Sequence, residues 1–221
     1  EVEQSDYDNA RAQAVAMNGI KSGLMNFSEM GPDNVGGRTR AIDVDPTNPN
    51  IFYAGSVTGG LFKSMDGGNN WTKVDAWDAA VPVTVIGSLC VTNDGTLYVG
   101  TGMCVYNEPC LQNGEGIWYS TDGGASFEQV AGTENRSCYK LEKDQSQQNS
   151  FYYLSGSGNY LKRCENGSTT PNITSIGAGA GLSTTVSAGA DVKVSPDGQH
   201  ILYCGFTRVY PIKVNSRKAS N

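Results

Sequence analysis

The stretch Gly60-Leu-Phe-Lys-Ser-Met-Asp-Gly-Gly-Asn-Asn-Trp71 returns without a gap as Gly116-Ile-Trp-Tyr-Ser-Thr-Asp-Gly-Gly-Ala-Ser-Phe127. Ser64 meets Ser120, Asp66 meets Asp122, Gly68 meets Gly124, and Trp71 meets Phe127. An apolar run precedes each copy: Ile51-Phe-Tyr-Ala-Gly55 in the first, Thr96-Leu-Tyr-Val-Gly100 in the second. The second unit carries an insertion at Met103–Asn113. Two weaker copies follow. Phe151-Tyr-Tyr-Leu-Ser155 leads into Tyr160-Leu-Lys-Arg-Cys-Glu-Asn-Gly167, with Arg163 at the Ser place and Glu165 at the Asp place. Ile201-Leu-Tyr-Cys-Gly205 follows the turn Ser195-Pro-Asp-Gly198. Aligned on Tyr53, Tyr98, Tyr153 and Tyr203, the units have a mean spacing of 50 residues.

Each unit reads as short alternating apolar runs parted by Gly, Asn, Asp and Pro turns, which is strand chemistry. Four short antiparallel strands per 40–50 residues are the signature of a β-propeller blade. The spacing predicts an all-β chain with blades at 38–78, 84–131, 136–175 and 189–215 inside a repeat region of 26–221. Residues 1–25 form a leader outside the repeat. Within it, residues 7–25 predict a short helix, because Ala12, Ala16, Ile20 and Leu24 fall on one face. Phe27 stands fifteen residues before Ile42, as Trp71 stands before Ile86, so Phe27 is expected in the outer strand of the last blade. The fourth unit has no box and no outer-strand aromatic. Four blades closing on the Phe27 strand, or further blades following, are both open. An unpaired edge on the fourth blade argues for the larger propeller.

Composition excludes several other classes. Charged residues are 17% of the 221, and Gly numbers 28, about 13% against a usual ~7%. That balance fits neither a disordered chain, nor a coiled coil, nor a helical bundle. The net charge is −6 and the basic residues are scattered, so neither a nucleic-acid partner nor insertion into a membrane is expected. Cys90, Cys104, Cys110, Cys138, Cys164 and Cys204 form no C-x-x-C pair, and His200 is the one histidine, which argues against zinc. An even cysteine count in a chain rich in Gly, Asn, Ser and Tyr reads as secreted or cell-surface, periplasmic or outer-membrane association included. Cys104 and Cys110 are expected to close the insertion, for about 2 kcal/mol, and to stiffen a loop presenting Tyr106 and Glu108 for recognition. Cys138 with Cys164 is the second expected pair. Cys90 and Cys204 stay unassigned. Asn-x-Ser/Thr triplets begin at Asn26, Asn70, Asn135, Asn166 and Asn172.

Asp66 and Asp122 suit a structural turn. An Asp there accepts hydrogen bonds from its own turn, the glycines permit positive φ, and Trp71 or Phe127 packs beneath. Two equivalent carboxylates on two blades would face away from each other, so a catalytic role is not expected. Arg38 and Arg40 alternate on the first innermost strand, either as an anion clamp or as residues facing the axial channel or a neighbouring blade. Asp43 and Asp45 fit a turn before Pro46; calcium is the alternative, and no other cofactor is expected.

These residues resemble the Asp-box, or BNR, motif: Ser/Thr-x-Asp-x-Gly-x-x-Trp/Phe. The run Gly31-Pro-Asp-Asn-Val-Gly-Gly-Arg-Thr-Arg-Ala-Ile-Asp-Val-Asp-Pro-Thr-Asn-Pro-Asn50, followed by Tyr53-Ala-Gly, resembles the opening of secreted bacterial sortilin-type Asp-box propellers. The resemblance covers residues 26 to 130 and thins beyond them. It implies the fold and secretion, and leaves the activity open, since relatives of this kind include receptors, assembly factors, sialidases and xyloglucanases. Xyloglucanase-type propellers carry a catalytic Asp in a Thr-Asp-x-Gly-Gly stretch. The matching stretch here is Ser56-Val-Thr-Gly-Gly60, with Val57 at the Asp position. The opening Phe-Arg-Ile-Pro of sialidases is absent.

Two functions follow. The first is a non-catalytic scaffold that recognises a protein or glycan through the propeller face and the blade-two loop, together with further polypeptide of the same propeller or assembly. The alternative is a sialidase-like or xyloglucanase-like glycoside hydrolase whose acids lie partly outside this chain. Val57 and the single histidine favour the first.

Overall fold

The computed structural model describes residues 38–102, 114–155, 161–176, 189–205 and 209–213. The 7–25 helix, Phe27, and the insertion with Cys104, Tyr106, Glu108 and Cys110 lie outside the described residues.

The alternating runs fold as four antiparallel meanders. The first is β1 (Thr39–Val44), β2 (Phe52–Ser56), β3 (Leu61–Ser64) and β4 (Thr72–Lys73), hydrogen-bonded in chain order. The second is β5 (Ile86–Val91), β6 (Leu97–Thr101), β7 (Ile117–Ser120) and β8 (Glu128–Gln129). The third is β9 (Cys138–Lys143), β10 (Ser150–Ser155), β11 (Leu161–Glu165) and β12 (Asn172–Ser175). The fourth has three strands among the described residues: β13 (Gly189–Val194), β14 (His200–Gly205) and β15 (Val209–Lys213). One helix was not foreseen. α1 (Asp75–Ala80) follows β4, has no side-chain cap, and buries Trp77. Six residues are too few to display a helical period, so sequence pattern could not reveal it.

The first strands of successive sheets lie side by side: β1 by β5, β5 by β9, and β9 by β13. Apolar layers fill the gaps between sheets. Tyr53, Leu61 and Trp77 meet Ile86, Leu97, Val99 and Phe127 between the first two sheets. Tyr98 and Ile117 meet Leu141, Phe151 and Tyr153 between the second and third. Tyr152 and Leu154 meet Val192, Ile201 and Tyr203 between the third and fourth. Fully burying one such aliphatic or Phe side chain is worth about 1.5–3 kcal/mol. Trp77 sets its ring edge-on to Phe127, centroids 5.3 Å apart, so α1 helps bind one sheet to the next.

Every first strand carries an extra residue at the same place. Pairing skips Arg40, Gly87, Tyr139 and Ala190 in β1, β5, β9 and β13. These four bulges put the sheets in a common frame, and that frame corrects the sequence alignment. Tyr53 and Tyr98 correspond to Tyr152 and Leu202, one residue before Tyr153 and Tyr203. Likewise Ser64 and Ser120 correspond to Cys164, not to Arg163, because each faces the second-strand residue paired four positions after the bulge: Phe52, Leu97 and Phe151. Three adjacent aromatics at 151–153 gave the sequence no means of choosing the register, and a one-residue slip exchanges the two faces of a strand.

The expected Cys138–Cys164 disulfide is absent; both are free thiols. Cys138 pairs with Ser155 at one end of β10, and Cys164 pairs with Phe151 near the other. They stand two strands and four residues apart. At about 4.8 Å per strand and 3.3 Å per residue, their Cα atoms are far beyond the ~7 Å limit for a bridge. Burial pushes the Cys138 thiol well up and that of Cys164 to about 12. Cys90 is free and buried, and Cys204 free and half-buried.

Candidate functional site

The two box turns close on themselves. Ser64 Oγ donates to Asp66 Oδ1 at 2.8 Å and accepts from the Gly68 N–H at 2.8 Å. Asp66 also accepts from Asn70 N at 2.9 Å and Asn70 Nδ2 at 2.6 Å. Trp71 Nε1 donates to Gly68 O at 2.9 Å. The second turn repeats the scheme: Ser120 Oγ reaches Asp122 at 2.7 Å, and Gly124 N reaches Ser120 Oγ at 2.8 Å. Asp122 further accepts from Ala125 N, Ser126 N and Ser126 Oγ. Gly67, Gly68, Gly123 and Gly124 all hold positive φ. The Asn70 backbone and side-chain donors, then Ser64, hold the Asp66 carboxyl down to about 2. Ser126 and Ser120 hold Asp122 down in the same way. Carboxylates engaged by three or more donors of their own turns serve those turns first. The second turn is also pinned to the first sheet: Lys63 Nζ donates to Gly123 O at 2.7 Å.

The open chemistry lies at the first strands. Arg38, Arg40 and Asp43 of the β1 segment, Ser88 and Cys90 of β5, Lys140, Glu142 and Lys143 of β9, and Lys193 of β13 line one cleft of about 770 Å³. Five of its lining residues are cationic, namely Arg38, Arg40, Lys140, Lys143 and Lys193. Among the described residues two are anionic, Asp43 and Glu142. Both acids are engaged. Asp43 accepts from Lys143 Nζ at 3.2 Å and from the Val91 N–H at 2.9 Å. Glu142 receives Lys193 Nζ at 2.9 Å and Lys140 Nζ at 3.5 Å, and Lys140 also meets Asp191 at 2.9 Å.

The two arginines differ. Arg40 Nε donates to Gly87 O at 3.1 Å. Burial, then the neighbouring Arg38 charge, lowers its pKa. Arg38 is exposed and has no ion-pair partner among the described residues. Burial, followed by the Asp43 charge, raises the Cys90 thiol, so it is no nucleophile at neutral pH.

Asp45, the partner of Asp43 in the calcium reading, takes Thr47 N at 2.8 Å and Thr47 Oγ1 at 2.6 Å. The two residues thus serve separate contacts. Among the described residues no three His, Cys, Asp or Glu gather as a metal site. His200 is exposed at the start of β14, just after the Ser195-Pro-Asp-Gly198 turn. Sequence reading placed Arg38 and Arg40 on a first strand but passed over Lys140, Glu142, Lys143 and Lys193. The signal was there: Lys140-Leu-Glu142 alternates charge with an apolar residue before Lys143, and Lys193 lies between Val192 and Val194.

No family model matches the chain. Over 112 residues it is 32% identical to a probable oligoxyloglucan-reducing end-specific xyloglucanase of Neosartorya fischeri, spanning 49% of this chain and 12% of that protein. Among solved structures it is similar to the GH74 enzyme of Niastella koreensis, with a TM-score of 0.56 and 20% identity over 74% of this chain and 24% of that one. It is also similar to an auxiliary nutrient binding protein of Bacteroides thetaiotaomicron, with a TM-score of 0.58 and 13% identity over 83% of this chain and 40% of that one. The third likeness is to YCF48 bound to D1 peptide, with a TM-score of 0.53 and 11% identity over 87% of this chain and 55% of that one. The chain is a run of β-propeller blades. It spans about an eighth of the xyloglucanase it matches, and at these identities the structural likeness is one of fold. The innermost strands of the blades are β1, β5, β9 and β13, and the cleft lies at their common side.

Proposed function

We propose that these blades belong to a secreted or cell-surface propeller of the Asp-box kind, which binds a glycan or protein at the cleft between its innermost strands without transforming it. One observation carries the reading. Both carboxylates lining the cleft are committed to lysines, whereas glycoside hydrolysis needs two carboxyl groups facing the scissile bond. Val57, at the position where xyloglucanase-type propellers keep an acid, supports the same reading. Similarity to a nutrient binding protein and to a peptide-bound propeller supports a binding role.

The local identity to a xyloglucanase favours the second reading, a hydrolase with acids elsewhere in a longer propeller. Incubation with plant and host glycans separates the two. Saturable binding with no new reducing ends supports the scaffold; release of sugar supports the hydrolase.

A further inference from the structure

Resting on the cleft as a binding site, we infer that its ligand is an acidic glycan whose carboxylate or sulfate groups meet Arg38 and the surrounding lysines. The chain as a whole is acidic, at −6, yet its cleft lines up five cations against two acids. Lys143 and Lys193 answer those two acids directly, and Lys140 is held by Glu142 and by Asp191. Arg38 is exposed, lies within electrostatic reach of Arg40, and meets no carboxylate among the described residues. Two guanidinium groups on one short strand, with like charge depressing the more buried one, form a field that an anion relieves.

The remaining lining favours a sugar over a protein. The volume of about 770 Å³ falls in the range of small-ligand clefts. Among the described residues no aromatic lines it, so the described lining offers a neutral saccharide no stacking platform and a protein no aromatic anchor. Leu89, Cys90 and Leu141 are buried, which leaves Ile42, 61% exposed, as the one large apolar surface of the lining among the described residues. Thr39 and Gln145 add polar groups suited to hydroxyls.

The test is calorimetric titration of the full chain with tetragalacturonate, its methyl-esterified neutral form, a sulfated cellotetraose and tetraglutamate. Tetragalacturonate or the sulfated sugar should bind saturably, weaken with added salt, and outcompete the neutral form by at least about tenfold. Comparing the first and third probes identifies carboxylate or sulfate as the preferred group. Arg38→Ala should lose at least about tenfold in affinity with the fold intact by circular dichroism, and Arg38→Lys should restore part of it. Equal binding of the ester, tighter binding of tetraglutamate, no binding at all, or indifference to Arg38→Ala overturns the inference. Cleavage of tetragalacturonate, followed by reducing-end assay, would overturn the non-catalytic reading while leaving the acidic ligand in place.

Discussion

Arg40 Nε donates to the carbonyl of Gly87 at 3.1 Å, and these two residues are the bulge residues of adjacent blades. A bulge leaves a backbone group outside its own ladder. Here the side chain from one bulge satisfies the carbonyl of the next, which is buried, so the irregularity that interrupts each blade also joins two of them. Arg40→Ala should therefore cost about 1–2 kcal/mol in chemical denaturation, most of it from an unpaired carbonyl. An unchanged denaturation midpoint would show that water serves Gly87 equally well.

Acid should loosen the two box turns. Asp66 titrates at about 2 in the folded chain against an ordinary 3.8. A carboxyl depressed on folding contributes stability that is present above the ordinary value and fades as pH falls from there towards the folded one. Asp122 acts in the same direction. Melting temperature should fall between pH 4 and pH 2, and the double variant Asp66→Asn, Asp122→Asn should show a flatter slope over that window. Parallel slopes would remove the boxes from the acid response.

Gly100 is fixed by packing. A Cβ there would lie 2.5 Å from Leu141 Cδ1 and 2.7 Å from Cys138 O, where blade two meets the first strand of blade three. Gly100→Ala should destabilise by about 1–3 kcal/mol. A smaller loss in thermal unfolding would mean that β9 can shift outward.

Thiol chemistry checks the corrected cysteines. Cys138 and Cys164 are buried, and their pKa values are raised by that burial. Iodoacetamide at pH 8 should leave both unlabelled in the native chain and alkylate both after unfolding without reductant. Peptide mapping that finds them protected in denaturant until reductant is added would restore the disulfide.

Blades one and two were legible in the sequence because their box turns are closed by local hydrogen bonds, which fix residue types at fixed spacing. Blades three and four lost that signal. Asn166, at φ 52°, and Gly67 both hold positive φ and donate a backbone N–H to the residue two before the aligned Phe151 or Phe52, namely Asn149 or Asn50, but Asn166 stands two residues after Cys164 and Gly67 three after Ser64. The geometry survives with different side chains, so the alignment drifted by one residue. The cleft was harder to foresee for another reason. Asp43 and Lys143 meet only because three first strands lie around one axis, and no local pattern encodes a contact across 100 residues.

That same Asp43–Lys143 pair alters how the repeats hold one another. In a repeat array each unit normally touches only its neighbours, and stability behaves as a one-dimensional lattice with nearest-neighbour couplings. Lys143 belongs to blade three and Asp43 to blade one, while Asp43 also takes the Val91 N–H of blade two. The lattice thereby gains a second-neighbour coupling with blade two enclosed in it. The coupling is small in energy, since the pair is only partly buried. Even so, displacing blade two costs this contact between blades one and three in addition to its own two interfaces.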